Sequence, residues 1–225
     1  MKDLTKGSPS KVMISFAVPV ALGNIFQLCY SLADTRVVGS TLGEAALAAV
    51  GATTSISTLF IGFLSGLTNG FALLIARQFG AGDKRGVTRY GAGCLLLGGI
   101  TALLLTAACV GSLPFILKLL NVPDALMDQS TAYIRAVLLG LLATMLYNGC
   151  ASILRAVGDT AAPLLFLLFA AVLNVALDLL FILKFGFGVA GAAWATVLSQ
   201  SLSALISLVY MFKRYPVFRF SLPDF

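Results

Sequence analysis

Long apolar stretches separated by short charged loops constrain this chain more than any other feature. Only 11% of the residues are charged, 59% are hydrophobic, and the mean hydropathy is +0.99. Soluble domains carry about 25% charged residues. A bilayer core about 30 Å thick takes roughly 20 apolar residues for each helical crossing. The 225 residues therefore predict an integral membrane protein with short loops and no soluble domain.

Six stretches have the length and composition of transmembrane helices. They cover about 12–38, 46–76, 87–113, 125–155, 161–183 and 189–212. A transmembrane β-barrel is the weaker alternative, because its strands alternate polar and apolar residues over about ten positions. The run from Pro163 to Leu173 is apolar on every side. We therefore expect an all-α bundle of six transmembrane helices over residues 12–212.

The basic residues predict how the chain lies in the membrane, since Lys and Arg collect in cytoplasmic loops. Eleven of the fifteen fall on one side of the predicted spans and four on the other. We expect a multi-pass plasma-membrane protein with residues 1–11 and 213–225 in the cytoplasm and odd-numbered spans running outward. The net charge of +6 then reflects topology and not nucleic-acid binding, because the basic residues are dispersed without interleaved aromatics. The larger group is Lys2, Lys6, Lys11, Arg77, Lys84, Arg85, Arg89, Arg155, Lys213, Arg214 and Arg219, and the smaller is Arg36, Lys118, Arg135 and Lys184.

Residue types that many enzymes and metal sites require are missing. The sequence has no histidine, which excludes Ser-His-Asp and Cys-His arrangements, and neither a GxSxG nor a GxxxxGK[ST] motif is present. The four cysteines lie in predicted spans without CxxC spacing, so we expect them to be small buried hydrophobic residues. We predict no enzyme and no cofactor. An intramembrane aspartyl hydrolase using Asp34 and Asp178 is the remaining enzymatic alternative.

Two carboxylates inside the predicted spans are the most informative residues. A charged group at membrane depth costs about 2.5–3.5 kcal/mol on insertion scales and usually has a function. Of nine acidic residues, seven lie in or beside loops, and only Asp34 and Asp178 remain inside the spans away from them. Asp34 is five residues before Gly39, and Asp178 is six residues before Lys184. Because both spans are predicted to run outward, the two carboxylates should lie at nearly the same level in the outer half of the membrane.

Polar residues accompany both aspartates at helical spacing and predict one polar pocket between spans one, five and six. The alternative is that these groups only hydrogen bond to one another between helices. Two carboxylates at one level repel unless a proton or a cation lies between them, which favours a cation site. The pocket residues are Asn24, Gln27, Ser31, Asp34, Asn174, Asp178, Thr196 and Gln200.

Two further features concern the helices themselves. Pro19 lies inside span one and removes a backbone hydrogen bond, which predicts either a bending point below the site or a static kink. Gly62, Gly66 and Gly70 repeat every fourth residue in span two, and this pattern predicts a flat face for close helix packing.

Five motifs in one order resemble the multidrug and toxic compound extrusion (MATE) family along nearly the whole chain. They are PVALGNIFQLCYSLADTRVVGSTLG from Pro19, ARQFGAGDKRG from Ala76, LRAVGDTAAP from Leu154, LNVALD from Leu173 and GVAGAAWATVLSQ from Gly188. The resemblance implies an antiporter that exports small amphipathic, often cationic, compounds in exchange for H⁺ or Na⁺. It also implies a cation site at Asp34, Asn174 and Asp178. Thr196 is the implied neighbour of that site, and Pro19 is the implied bending proline.

The resemblance further implies a transporter of twelve helices in two lobes, of which this chain corresponds to the first. Residues 213–225 would then begin the linker between the lobes. We expect the sequence to be the N-terminal half of a longer chain, with a second copy of the chain as the alternative partner. Two other functions stay open: a lipid-linked oligosaccharide flippase of the same superfamily, with a cationic cavity, and a membrane assembly protein that does not transport. Carboxylate, amide and hydroxyl oxygens suit H⁺ and Na⁺ alike.

Overall fold

Helices account for almost all of the structure, a computed structural model that describes residues 9–218. Lys2, Lys6 and Arg219, on which part of the topology prediction depends, lie outside the described residues. A helix satisfies its backbone hydrogen bonds within one segment, as lipid requires. The helices are α1 Pro9–Leu42, α2 Glu44–Gly80, α3 Lys84–Leu119, α4 Asp124–Leu139, α5 Leu141–Ala156, α6 Ala161–Leu179 and α7 Gly188–Arg214, with a π-helical turn at Leu180–Lys184 and a 3₁₀ turn at Pro216–Phe218.

The prediction of six transmembrane helices is confirmed when α4 and α5 are counted as one bent span. Five helices are each long and apolar enough to cross a membrane, and the α4–α5 pair passes the same test together. The helices extend beyond the predicted spans, as at α3, which ends at Leu119 and not at residue 113. They continue past the apolar core until a residue breaks them. Gly43, with φ of +86°, separates α1 from α2 in this way.

The fourth span differs from the prediction of one continuous helix over 125–155. It bends by 45° between α4 and α5, at Gly140. Val197 of α7 packs so closely against Gly140 that no side chain fits there. Thr106 of α3 donates a hydrogen bond of 2.9 Å to the carbonyl of Leu138 beside the break. The sequence suggested no break because the bend results from packing between α7, α3 and this span.

Glycine packing also differs from the prediction. A Cβ added at Gly62, Gly66 or Gly70 would meet no atom within 4 Å, so these glycines form an open face of α2. The close approach occurs instead at Gly98 of α3, against which Met145 of α5 packs directly. Spacing predicts which glycines share a face, and only the tertiary structure shows which face meets another helix.

Three clusters of buried apolar side chains hold the bundle together. One joins α2, α3, α4 and α5 at one end of the bundle, and a second joins α2, α3, α5 and α7 near Phe218. Cys94, Cys109 and Cys150 belong to these clusters, as expected, whereas the prediction of a buried Cys29 is wrong. Cys29 is exposed because α1 packs on one side only and leaves most of its apolar side chains on the outer surface of the bundle.

Asp159 fastens the loop between α5 and α6 to the end of α7. Its Oδ1 accepts a hydrogen bond of 3.1 Å from the backbone N–H of Ala162 in the first turn of α6. Its Oδ2 accepts hydrogen bonds from the hydroxyls of Tyr210 at 3.0 Å and Tyr215 at 2.9 Å. Burial and the neighbouring Asp159 raise the pKa of Tyr215, so its hydroxyl stays a donor at physiological pH.

Candidate functional site

Asp34 of α1 and Asp178 of α6 lie beside each other, and their carboxyl groups are close enough to interact. Asp178 is fully buried and Asp34 is partly buried. Within the described part of the chain, the Oδ1 atom of each carboxyl is buried without a hydrogen-bond partner. Ionised carboxylates can only accept hydrogen bonds, so this contact is favourable when a proton or a cation lies between them.

Asn174 and Thr196 complete the cluster around the carboxyls. Asn174 is fully buried one turn before Asp178 on α6. With its amide oriented to suit its neighbours, Nδ2 donates to Oδ2 of Asp178 at 3.0 Å, and the amide oxygen accepts from Oγ1 of Thr196 at 3.1 Å. The structure thus brings together the four residues that the sequence predicted as a cation site. Their role in ion binding stays a prediction.

Two tyrosines that the sequence analysis missed also lie beside this cluster. The Tyr30 hydroxyl donates a hydrogen bond to Oγ1 of Thr196 at 3.5 Å. Both Tyr30 and Tyr133 are close enough to interact electrostatically with the two carboxyl groups. Tyr30 is four residues before Asp34, so helical spacing could have identified it. Tyr133 comes from α4, and no spacing relates it to α1 or α6.

A separate cavity of about 360 Å³ lies between α1, α2, α5, α6 and α7. Asn24, Gln27 and Gln200, which the sequence assigned to the same pocket as the aspartates, line this cavity, and so does Pro19. Oγ1 of Thr144 donates to Oε1 of Gln200 at 2.6 Å and ties α5 to α7 at the cavity wall.

The predicted single pocket is therefore two sites. Gln27 is seven residues before Asp34, a separation of about 10 Å along a helix, which is too long for both to belong to one small site. Ser31 lines neither cavity and is exposed. Tyr30, the residue before it, faces the interior where the sequence analysis expected Ser31. Tyr30 and Gln27 instead line a water-sized cavity of about 10 Å³, which shares Gln27, Tyr147, Leu167 and Gln200 with the large cavity.

Among the described residues that line the large cavity, Arg155 is the one that is charged. Its Nη2 donates to Oγ of Ser152 at 3.0 Å, and Ser152 donates to Oδ1 of Asn69 at 3.1 Å. Sequence analysis assigned Arg155 only to the cytoplasmic end of a span, since its charge fits the topology pattern. Its side chain lines a cavity because of the way α5 packs against α2.

Comparisons with known proteins agree with the resemblance that the motifs carry. The MatE family model matches residues 19–180. The probable multidrug resistance protein YpnP of Bacillus subtilis is 34% identical over 98% of this chain and 49% of its own length.

Solved structures agree as well. A MATE crystal structure in the bent conformation superposes with a TM-score of 0.91 at 31% identity, over 99% of this chain and 50% of the other. One in the straight conformation gives 0.90 at 32% identity, over 99% and 49%. The chain thus spans about half the length of the relatives that it matches. By family model, sequence and fold together, this chain belongs to the MatE family, whose named relatives are multidrug resistance proteins.

Proposed function

We propose that this chain forms the ion-coupling lobe of a secondary active antiporter, which exports small amphipathic cationic compounds in exchange for H⁺ or Na⁺. The observation that carries the proposal is the contact between Asp34 and Asp178, each with a buried oxygen that lacks a partner. With two carboxylates, an amide and a hydroxyl, the cluster offers oxygen ligands and up to two negative charges. Such a donor set suits a proton or Na⁺.

Ion binding would act on the cavity through α1. A proton or Na⁺ between Asp34 and Asp178 stabilises the contact of α1 with α6, and its release restores the repulsion between them. Pro19, fifteen residues before Asp34, lines the cavity and interrupts the backbone hydrogen bonds of α1. The ion can shift α1 between two forms only by its difference in affinity for them. Solved MATE structures in a bent and in a straight conformation support two such forms.

A second lobe would complete the transporter, either on the same chain or from a second copy. The large cavity is partly open, and the matched relatives are about twice as long. We propose a plasma-membrane location with both ends of the chain in the cytoplasm, as the distribution of basic residues predicts.

The flippase alternative predicts a cavity with many cationic residues. The large cavity has one, Arg155. Export of single amphipathic molecules is therefore the better fit. A membrane assembly protein would have no use for a buried carboxyl pair, which is costly to keep in lipid.

The experiment is ethidium efflux in cells that express the two-lobe form containing this lobe. We expect Asp34→Asn and Asp178→Asn each to abolish efflux driven by the ion gradient, and Asn174→Ala to reduce it less. The double aspartate variant should be little worse than either single variant, because residues that act as one unit are not additive.

The matched control is Asp128→Asn, which removes an exposed carboxylate of α4 that no described contact assigns to the site. It should leave efflux unchanged. Normal gradient-dependent efflux by either Asp34→Asn or Asp178→Asn, at wild-type expression, would refute the shared ion site.

A further inference from the structure

We infer that the Arg155 end of the large cavity is an oxyanion-binding subsite, which takes the carboxylate, sulfonate or phosphate group of an amphipathic compound. The inference extends the proposed function, since it assumes that exported compounds occupy this cavity. It changes the expected substrate class from simple cations to compounds that also carry an acidic group.

Arg155 has no acidic partner among the described residues. Over residues 9–218, no carboxylate lines the cavity, and the guanidinium donates one hydrogen bond, to Ser152. A guanidinium has five N–H donors in a planar fork, and this geometry matches carboxylate, sulfonate and phosphate oxygens. Several donors and a full positive charge are therefore available to a ligand in the cavity.

The neighbouring side chains hold the guanidinium in place without neutralising it. Ser152 accepts a hydrogen bond from Arg155 and donates one to Asn69, so the chain of hydrogen bonds fixes the arginine through neutral groups. Asn148 donates to Oγ of Ser65 at 3.3 Å in the same wall, between α5 and α2. A packing arginine is usually paired with a carboxylate, because an unpaired buried charge is costly.

The remaining walls suit the body of an amphipathic molecule. Ile61, Leu164 and Leu167 supply apolar surface, and the volume of about 360 Å³ lies within the range of ligand pockets, roughly 300–1,000 Å³. The water-sized cavity at Tyr30 shares Gln27, Tyr147, Leu167 and Gln200 with this cavity. The large cavity thus offers one cationic group together with apolar surface, which suits the acidic group and the apolar body of an amphipathic compound.

The test measures equilibrium binding of two probes that differ by one acidic group. They are 8-anilino-1-naphthalenesulfonate and its uncharged analogue N-phenyl-1-naphthylamine. The purified 225-residue chain is placed in phosphatidylcholine nanodiscs, with empty nanodiscs as the blank. We expect Arg155→Gln to weaken sulfonate binding about tenfold to a hundredfold, because a hydrogen bond to a charged group is lost, and to leave the uncharged probe unchanged.

Two further variants and one control keep the test decisive. Arg155→Lys keeps the charge without the planar fork and should bind the sulfonate with intermediate affinity. Asn69→Asp places a carboxylate within the hydrogen-bond chain of Arg155 without altering the arginine, and it should also weaken sulfonate binding. Arg77→Gln removes an exposed arginine outside the cavity and should change nothing.

Unchanged sulfonate binding in Arg155→Gln and Asn69→Asp would overturn the subsite, as would equal losses for both probes. The ion-coupling proposal is tested separately, by the efflux of Asp34→Asn. The subsite stands if Arg155→Gln weakens sulfonate binding to the purified chain, whatever the outcome of that efflux assay.

Competition then identifies the source of the oxyanion. A lipid headgroup as the natural ligand predicts that soluble dihexanoylphosphatidylglycerol displaces the sulfonate probe from the wild-type chain. A free amphipathic solute predicts displacement by naphthalene-2-sulfonate and not by the short-chain lipid. Displacement by neither compound would overturn the subsite.

Discussion

Replacing Asp159 with serine separates the two roles of this carboxylate at the junction of α5, α6 and α7. A serine oxygen can still accept the hydrogen bond from the backbone N–H of Ala162, but it is too short to reach the hydroxyls of Tyr210 and Tyr215. Both tyrosines donate to the same carboxylate oxygen, at 3.0 and 2.9 Å. Tyr215 is only 8% exposed, so its hydroxyl would lose its partner inside the protein.

The expected cost follows from these two hydrogen bonds. A hydrogen bond to a charged group contributes about 1.5–3 kcal/mol, and the more exposed Tyr210 recovers part of this from water. We expect Asp159→Ser to lower the free energy of unfolding by about 2–4 kcal/mol. For a chain of this size, that corresponds to a fall in Tm of roughly 5–15 °C.

Buried cysteines provide the assay. Cys94, Cys109 and Cys150 are buried and react with a thiol-specific dye only on unfolding, and Cys29→Ser removes the exposed thiol. Dye fluorescence of the detergent-solubilised protein is followed with temperature. Asp83→Ser is the matched control, because Asp83 also accepts a backbone hydrogen bond, from Gly86 at 3.0 Å, and it should shift Tm little.

A double-mutant cycle completes this test. Tyr210→Phe and Tyr215→Phe should each lower Tm in the wild-type background and have almost no effect after Asp159→Ser. A wild-type Tm for Asp159→Ser, or full tyrosine effects in its background, would refute the reasoning.

Three further predictions concern packing, bending and topology. Gly140→Ala should destabilise the protein by about 1–3 kcal/mol in the same thermal assay, because α7 packs against this position. Gly66→Ala on the open face should be neutral or stabilise the protein by up to about 1 kcal/mol. Equal effects of the two substitutions would contradict this account of the bend. Pro19→Ala in the two-lobe form should impair ethidium efflux while ion binding persists, and unchanged efflux would make the proline static geometry. Single cysteines at Leu120 and Gly82 lie just beyond opposite ends of α3, and a membrane-impermeant thiol reagent added outside cells should label Leu120→Cys and not Gly82→Cys. The reverse labelling would invert the predicted topology.

Much of the fold followed from composition and charge alone. Six apolar stretches fixed the number of spans, since a bilayer accepts only segments that satisfy their own backbone hydrogen bonds. Asp34 and Asp178 were identifiable because carboxylates are rare and costly at membrane depth. The prediction that both lie at the same depth in the membrane came from counting residues to the ends of two spans that are predicted to run in the same direction.

Helical spacing, by contrast, relates residues only along one helix. It grouped Asn24 and Gln27 with Asp34, although the structure divides them between two sites. It could not place Tyr133 beside the carboxyls or Arg155 in the cavity, because those positions depend on how α4 and α5 pack against other helices.

The sequence by itself thus determined the solvent, the number of helices and the carboxylates that are costly at membrane depth, because each of these depends on the free energy of transferring side chains and backbone into the bilayer. The tertiary structure alone decided the bend at Gly140, the open glycine face of α2 and the separation of the carboxyl cluster from the Arg155 cavity. These features depend on contacts between residues far apart in the chain, such as Val197 with Gly140, and no local pattern encodes which helix faces meet.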